Sequence, residues 1–194
     1  IKETSAISKY KKNIKVFGST HYKKKFAINY ENINLKKKFI TSQSREYIDN
    51  FILLEKKRCS SLIEIHNRPN YLKLLDKKLN DRNYTLFFHN DPLSMDGSKS
   101  VDDRKYLLKK CFKIIFNSKW SKKRFLEGLH RNFINSEKLL VVFQSAKKQK
   151  INFNKKEKLI TFVGKLNKSK GYDIFGKVII KVLNNYKDWK AVVI

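Results

Sequence analysis

Two lysines and two glycines separate a strand-like segment from a helix-like one in LITFVGKLNKSKGYDIF, residues 159–175. Gly164 ends the apolar strand, Lys165 and Lys170 lie in the loop, and Gly171 precedes the next apolar segment. The amides and dipole at a helix start favour a phosphate, and glycine allows its close approach. Two ammonium groups could neutralise a diphosphate without a metal. The spacing matches neither G-x-G-x-x-G nor G-x-x-x-x-G-K-[ST], so a plain basic turn remains an alternative.

Two histidines each end a short apolar run, SLIEIH at 61–66 and YTLFFH at 84–89. In open parallel sheets, ligands bind beyond the carboxyl ends of the strands. An imidazole at that position can donate to or accept from a sugar hydroxyl or a carbonyl near neutral pH. His66 and His89 are therefore candidate site residues, with His89 preferred. The alternative for each is that it caps a helix or holds a loop.

Carboxylates and cysteines do not predict a metal site. Four aspartates lie between residues 91 and 103, but Asp102 and Asp103 open a predicted helix, where carboxylates commonly cap. Cys59 and Cys111 fit neither a disulfide framework nor a C-x-x-C site. We expect no metal and no bound cofactor.

Strand-like and helix-like stretches alternate along the chain. This alternation with short links predicts an α/β fold with a parallel sheet covered on both faces. The predicted strands are IKVFGST (14–20), KKFIT (37–41), 61–66, 84–89, KIIFNS (113–118), KLLVVF (138–143), LITFV (159–163) and WKAVVI (189–194); the predicted helices are 3–13, 44–57, 69–79, 101–111, 119–129 and the stretch after Gly171.

A lysine-rich change of composition divides the chain into two predicted domains. We expect a first α/β domain at 1–146, a linker at 147–156, and the start of a second domain at 157–194. Both ends look cut, because the chain begins without Met and stops within a strand-like segment. The expectation is a fragment whose first domain lacks its first strand.

The net charge of +28 has two possible explanations, a compositional bias toward lysine or attraction to an anionic partner. Only seven of the 45 basic residues are arginine, whereas nucleic-acid surfaces usually use more arginine for bidentate contacts. The lysines are also spread along the chain, as compositional bias would leave them. Attraction to an anionic membrane surface or to an acidic substrate is the other explanation that we expect.

The segment FVGKLNKSKGYDIF resembles the phosphate-binding turn of retaining glycosyltransferases of family 4, which have the GT-B fold. LIEIHNRP and YTLFFHND resemble two strands of that family that end in His, and KIIFNSKWSKKRF resembles the strand that ends in Ser before a helix. DWKAVVI resembles the second strand of the nucleotide domain. The resemblance implies two Rossmann-like domains, the first nearly complete and the second only begun.

The resemblance implies a role for five residues on the donor side. Lys165 and Lys170 would bind the diphosphate of a nucleotide-sugar, with Gly164 and Gly171 shaping the turn. His89 would face the donor sugar as the catalytic-site histidine. The lysines would stabilise the charge that grows on the departing diphosphate.

On the acceptor side, the resemblance implies that His66, Asn67 and Arg68 line the cleft. The implied activity is transfer of a sugar, with retention, to a glycan or lipid-linked acceptor, as in cell-envelope polysaccharide or lipopolysaccharide synthesis. We expect a cytoplasmic protein, peripheral at the inner membrane face, and no nucleic-acid partner. The family's glycine-rich loop would precede Ile1 and its paired glutamates would follow Ile194, so we expect this fragment alone to be inactive.

Two hypotheses from other classes remain open. A basic nucleic-acid-binding module would bind through counterion release and would not depend on Lys170. A non-catalytic protein with the GT-B fold would keep the architecture without the chemistry. Gln144–Ser145 stands where the family usually has Asn-Gly, which is a departure from the pattern.

Overall fold

A computed structural model describes residues 8–20, 29–35, 42–133, 136–145 and 156–194, together with residues 148, 150, 152 and 154. The chain divides into two compact units, Ile1–Gln144 and Ser145–Ile194, called here the first and second units. Within the described residues, no helix has both the length and the apolar character needed to cross a membrane.

The first unit is a mixed α/β fold, Rossmann-like in character, around a four-stranded parallel sheet in the order β3-β4-β5-β6. A separate parallel pair, β1-β2, precedes it. The elements are β1 (Val16–Gly18), β2 (Tyr30–Asn32), α1 (Gln43–Arg58), β3 (Leu62–His66), α2 (Asn70–Asp76), β4 (Asn83–Phe88), α3 (Val101–Lys110), β5 (Lys113–Phe116), α4 (Lys119–Leu126) and β6 (Leu139–Val141).

Serine caps set the starts of three of these helices. Ser42, Ser100 and Ser118 each accept a hydrogen bond from the backbone N–H three residues later, at the starts of α1, α3 and α4. Such a cap satisfies one of the N–H groups that a helix start leaves without a partner. The predicted helix 101–111 is therefore confirmed as α3, with its carboxylates in the first turn.

One face of the four-stranded sheet forms the core. Alternate side chains of β3, β4 and β5 are buried there, together with apolar residues of α2, α3 and α4. Phe125 of α4 packs against Phe88 and Phe116, with ring centroids 5.6 and 5.3 Å away. On the opposite face, Thr85 is buried but Glu64 and Leu140 are exposed. The described residues thus cover only one face completely, unlike the prediction.

The predicted elements agree with the structure where their residues are described, with two exceptions. The predicted helix at 3–13 is wrong for residues 8–13, which form a loop and turns. The strand β2 was not predicted, because Tyr30–Asn32 is short and polar. The predicted strand at 37–41 lies outside the described residues.

The second unit is a β-α-β arrangement: β7 (Leu159–Phe162), a 3-10 turn at Lys168–Lys170, α5 (Tyr172–Asn185) and β8 (Lys190–Val193). The strands β7 and β8 are parallel neighbours. Phe175 of α5 lies on Phe162 of β7, with ring centroids 5.1 Å apart. No side chain described between 156 and 194 is buried. The predicted linker and domain bounds remain predictions.

Candidate functional site

The two predicted histidines lie side by side at the carboxyl end of the first unit's sheet. His66 is the last residue of β3 and pairs in register with Phe87, while His89 directly follows β4. Because β3 and β4 are parallel neighbours, their carboxyl ends meet at the same edge. The predicted strand-end positions of both histidines are therefore found, and the pairing of β3 with β4 brings the two residues together.

A hydrogen bond joins the two imidazoles. Nδ1 of His66 lies 3.1 Å from Nε2 of His89, and the two rings are nearly parallel, at 8°. His66 also stacks on Phe87, with ring centroids 4.4 Å apart. The orientation of the His66 ring is consequently fixed by its stacking on Phe87 and by its hydrogen bond to Nε2 of His89.

Each histidine has a second polar neighbour. The amide nitrogen of Gln144 lies 2.7 Å from Nδ1 of His89, and a carboxylate oxygen of Glu64 lies 3.5 Å from Nε2 of His66. Glu64 was not predicted, although it stands two residues before His66 in β3, a spacing that puts both on one face of the strand. Gln144 was noted only as a departure from a family pattern.

Two asparagines hold the backbone of His89. The side-chain oxygen of Asn67 accepts from the backbone N–H of His89 at 3.1 Å, and the side-chain amide of Asn117 donates to its carbonyl at 2.9 Å. Asn67 has φ 58°, the left-handed region that asparagine adopts more easily than most residues. These bonds fix the strand end from which the His89 side chain projects.

Burial and the neighbouring His66 imidazole both lower the pKa of His89 below its usual value. Burial disfavours the charged imidazolium, and a second imidazole beside it opposes a further positive charge. His89 is therefore neutral near pH 7. A neutral imidazole has one nitrogen that donates and one that accepts.

The loop after His89 is held by a capping hydrogen bond, an ion pair and a close backbone approach. The carboxylate of Asp91 caps the 3-10 turn at Pro92–Ser94 and pairs with Arg124 at 3.2 Å. Gly97, with φ 88°, passes so near Asn70 that a Cβ would lie 2.5 Å from its backbone nitrogen. The aspartate beside His89 thus has a structural role.

The side chain of Arg104 also stabilises this loop, through hydrogen bonds to backbone carbonyls. Its guanidinium is buried and donates to the carbonyls of Ser98 and Lys99, at 3.1 and 2.7 Å, and to that of Glu127. Among the described residues, no three His, Cys, Asp or Glu side chains are grouped closely enough to hold a metal ion. The polar groups here serve to hold the loop.

The three residues predicted for the acceptor side have different surroundings. His66 is hydrogen-bonded to His89, and the side chain of Asn67 is occupied by the His89 backbone. Arg68 is exposed and donates to the carbonyl of Asn67 at 2.9 Å. Of the three residues, only Arg68 is exposed to solvent.

The turn at residues 164–171, called here the lysine turn, lies in the second unit. Lys165 and Lys170 are exposed, and neither forms an ion pair with any described residue. Lys168 is a third exposed lysine of this turn. Three ammonium groups therefore face solvent within six residues, in the stretch between β7 and α5.

The glycines of the lysine turn determine its backbone conformation, and their own N–H groups are already bonded within the protein. The N–H of Gly164 bonds to the carbonyl of Ile194, and the N–H of Gly171 bonds to that of Lys168. Gly171 has φ 72°, and a Cβ there would meet nothing within 4 Å. It begins α5 without a side-chain cap. The N–H groups open to an anion are those of the first turn of α5.

Comparison of the sequence with protein-family models finds no match, and comparison with curated proteins finds none either. Any function assigned to this chain therefore rests on its residues and their geometry. Those features are a histidine pair at a sheet edge in the first unit and a lysine turn in the second.

Proposed function

We propose that this chain is part of a glycosyltransferase with the GT-B fold, which transfers a sugar from a nucleotide-sugar to a glycan or lipid-linked acceptor with retention. The observation that carries the proposal is the lysine turn, whose exposed ammonium groups have no described acidic partner and stand at the start of a 14-residue helix. The resemblance of this segment to the phosphate-binding turn of retaining family 4 supports it.

The lysine turn is the proposed site for the donor diphosphate. Lys165 and Lys170 supply positive charge, and the first-turn amides of α5 supply N–H donors. Because Gly171 has open space where a Cβ would stand, a phosphate can approach the backbone there. As the sugar leaves, charge grows on the diphosphate, and fixed cations stabilise it. The proposed site needs no metal.

His89 is the proposed contact to the donor sugar. Its backbone is held by Asn67 and Asn117, and its ring by His66, so it meets a ligand without reorganisation. Its neutral form suits a hydrogen bond to a hydroxyl better than an ion pair. Arg68 is the proposed acceptor-side group with a free charge, beside His66 and Asn67.

We also propose a cytoplasmic location with peripheral contact at the inner membrane face. The support is the net charge of +28, which attracts anionic headgroups within a Debye length of the surface. Such a location would suit a lipid-linked acceptor. The proposal predicts that vesicles containing anionic lipid bind the protein at low salt and release it at high salt.

The test of the donor site is equilibrium binding of a panel of nucleoside diphosphates and nucleotide-sugars to the full-length protein, with and without EDTA. We expect one base to be preferred, indifference to EDTA, and a loss of at least about tenfold for Lys170→Ala, which corresponds to roughly 1.4 kcal/mol. Lys181→Ala, which removes an exposed lysine of the following helix α5, is the matched control. Undiminished binding by Lys170→Ala would overturn the proposed role of the turn.

The same experiment separates the proposal from nucleic-acid binding. A short RNA is titrated at two salt concentrations beside the nucleotides. Salt-sensitive RNA binding without nucleotide preference, unchanged by Lys170→Ala, would make the charge the functional feature and replace the glycosyltransferase proposal.

A further inference from the structure

Four side chains form a continuous row across the sheet edge, in the order Gln144, His89, His66 and Glu64; it is called here the histidine row. The successive distances are 2.7 Å from amide nitrogen to Nδ1, 3.1 Å from Nε2 to Nδ1, and 3.5 Å from Nε2 to carboxylate oxygen. Every ring nitrogen of the two histidines faces one member of the row. The row begins on an amide and ends on a carboxylate.

The polarity of the row follows from its two ends. An amide nitrogen can only donate, so Nδ1 of His89 accepts and its proton is on Nε2. That proton is donated to Nδ1 of His66, which places the proton of His66 on Nε2. This second N–H points toward Glu64, and an ionised carboxylate can only accept. One arrangement of protons therefore satisfies all four groups.

We propose that Glu64 and His66 are positioning residues that hold His89 as its Nε2–H tautomer. Nδ1 of His89 then presents a lone pair, and the group it takes from a ligand is a hydroxyl, which replaces the Gln144 amide. The assignment of that hydroxyl to a sugar rests on the proposed function. The tautomer itself rests only on the geometry of the row.

Gln144 is the displaceable member of the row. It is exposed and is the last residue of the first unit, beyond the end of β6. His66, in contrast, has 23% of its side chain exposed and is stacked on Phe87. A ligand therefore competes with Gln144 for His89 and leaves the imidazole pair intact.

The polarity of the row also separates the two proposed subsites by chemistry. A lone pair at Nδ1 attracts an O–H and repels an anionic phosphate oxygen. The ammonium groups of Lys165 and Lys170 can only donate, and their positive charge favours an anionic phosphate oxygen. The inference assigns neutral hydroxyl recognition to the first unit and anion recognition to the second.

The first test measures tautomers directly by nitrogen NMR of the imidazoles in the full chain. The chain has four histidines, and His66→Asn and His89→Asn variants assign the signals. We expect the Nε2–H form for both residues. An Nδ1–H form of His89 in the unsubstituted protein would overturn the inference.

Variants of Glu64 test its positioning role through the tautomers of His66 and His89, which a purely structural role of Glu64 would leave unchanged. The Gln144 amide can turn to present its oxygen instead of its nitrogen, so the carboxylate of Glu64 is the end that fixes the direction of the row. Glu64→Leu removes that acceptor, and His66 and His89 then become mixtures of tautomers. Glu64→Gln can still accept through its side-chain oxygen and restores the Nε2–H form. Because Glu64 is exposed, both variants are expected to fold. Unchanged tautomers in Glu64→Leu would overturn the role of this residue.

The second test uses methyl glycosides of glucose, galactose and mannose as neutral probes and inorganic pyrophosphate as the anionic probe. In Gln144→Ala, we expect at least one glycoside to shift the Nδ1 signal of His89, with affinity about 2- to 10-fold higher than in the unsubstituted protein, since one competing hydrogen bond is gone. Pyrophosphate is expected to shift the backbone signals of residues 165–174 instead.

The outcomes separate this inference from the proposed function. If pyrophosphate shifts His89, or if no glycoside does, the inference of a hydroxyl subsite is wrong and the donor site at the lysine turn is unaffected. If pyrophosphate leaves residues 165–174 unshifted while the tautomers are as expected, the proposed donor site is wrong and the positioning role of Glu64 and His66 is retained.

Discussion

The two strand ends that carry candidate chemistry are held in opposite ways. At the end of β4, His89 has partners for its backbone N–H, its carbonyl and both ring nitrogens. At the end of β7, Lys165 and Lys170 are exposed and pair with no described acid. The first arrangement is complete without a ligand, and the second leaves its charges to solvent.

This difference follows from the chemistry of the two groups. A neutral imidazole accepts a hydrogen bond along a single lone pair. Whether it can bind a ligand therefore depends on the orientation of its ring, which neighbouring residues must fix. An ammonium is a compact point charge on a flexible stem, and its attraction for a phosphate tolerates motion. Support from surrounding residues is therefore needed at His89 and not at the lysines.

The largest predicted difference compares the glycines near the two sites. Gly97→Ala places a Cβ 2.5 Å from the backbone of Asn70 at φ 88°, and we expect a loss of about 3 kcal/mol of unfolding free energy. Gly171→Ala, at φ 72° but with nothing within 4 Å, should cost only about 1 kcal/mol. The backbone conformation is similar, so the excess measures the packing around the loop.

The measurement is urea unfolding followed by tryptophan fluorescence. The chain has two tryptophans, Trp120 in the first unit and Trp189 in the second. Trp189→Phe leaves a reporter for Gly97→Ala, and Trp120→Phe leaves one for Gly171→Ala. Equal losses from the two glycine substitutions would show that the loop after β4 yields to the added methyl group.

The second prediction concerns the residue that holds His89. Asn67→Ala leaves the His89 N–H without its acceptor and puts alanine at φ 58°, for a combined cost of about 2 kcal/mol. Asn67→Asp keeps a side-chain acceptor and should cost less than about 1 kcal/mol. The same unfolding experiment in the Trp189→Phe background measures both. A larger cost for Asp than for Ala would contradict the assigned hydrogen bond.

The third prediction is a pH dependence of stability from His89. Its pKa is lowered in the folded protein, so below the unfolded value of about 6.5 the unfolded chain binds more protons than the folded one. The contribution is fully present above that pH and is lost as the pH falls from 6.5 through the lowered folded value. His89→Asn should flatten this part of the stability profile. Equal profiles of stability against pH for the unsubstituted protein and His89→Asn would refute the lowered pKa of His89.

The smallest expected effect is on the lysine turn. Lys170→Ala should change the unfolding free energy by less than about 0.5 kcal/mol, since the side chain is exposed and has no described ion pair. Unfolding in the Trp120→Phe background tests this. A stability loss above 1 kcal/mol would mean that Lys170 supports the fold, and its use in binding could not be isolated by mutation.

Much of the histidine edge could be predicted from local sequence. Apolar runs that end in His66 and His89 identify two buried parallel strands, and parallel neighbours bring their ends together. The lysine turn is likewise a local pattern between β7 and α5. Local patterns could not supply β2, whose three polar residues carry no strand signal.

The partners of His89 could not be found in the same way. Gln144 is 55 residues away in sequence, and Asn117 is 28 away. Their side chains occur after different strands, and no local rule distinguishes them from ordinary loop residues. Glu64 did have a local signal, the two-residue spacing to His66, but that spacing alone does not indicate which neighbour His66 faces.

The amino-acid sequence by itself determined the order of the elements from α1 to β8, the strand-end positions of both histidines and the lysine-rich composition of the turn, because these depend on periodicity and on residue type. The tertiary structure alone decided which ring nitrogen faces which partner, and that only one face of the sheet is fully buried by the described residues. The physical reason is range: periodicity acts over a few residues, whereas hydrogen bonds at the site join four separate segments of the chain.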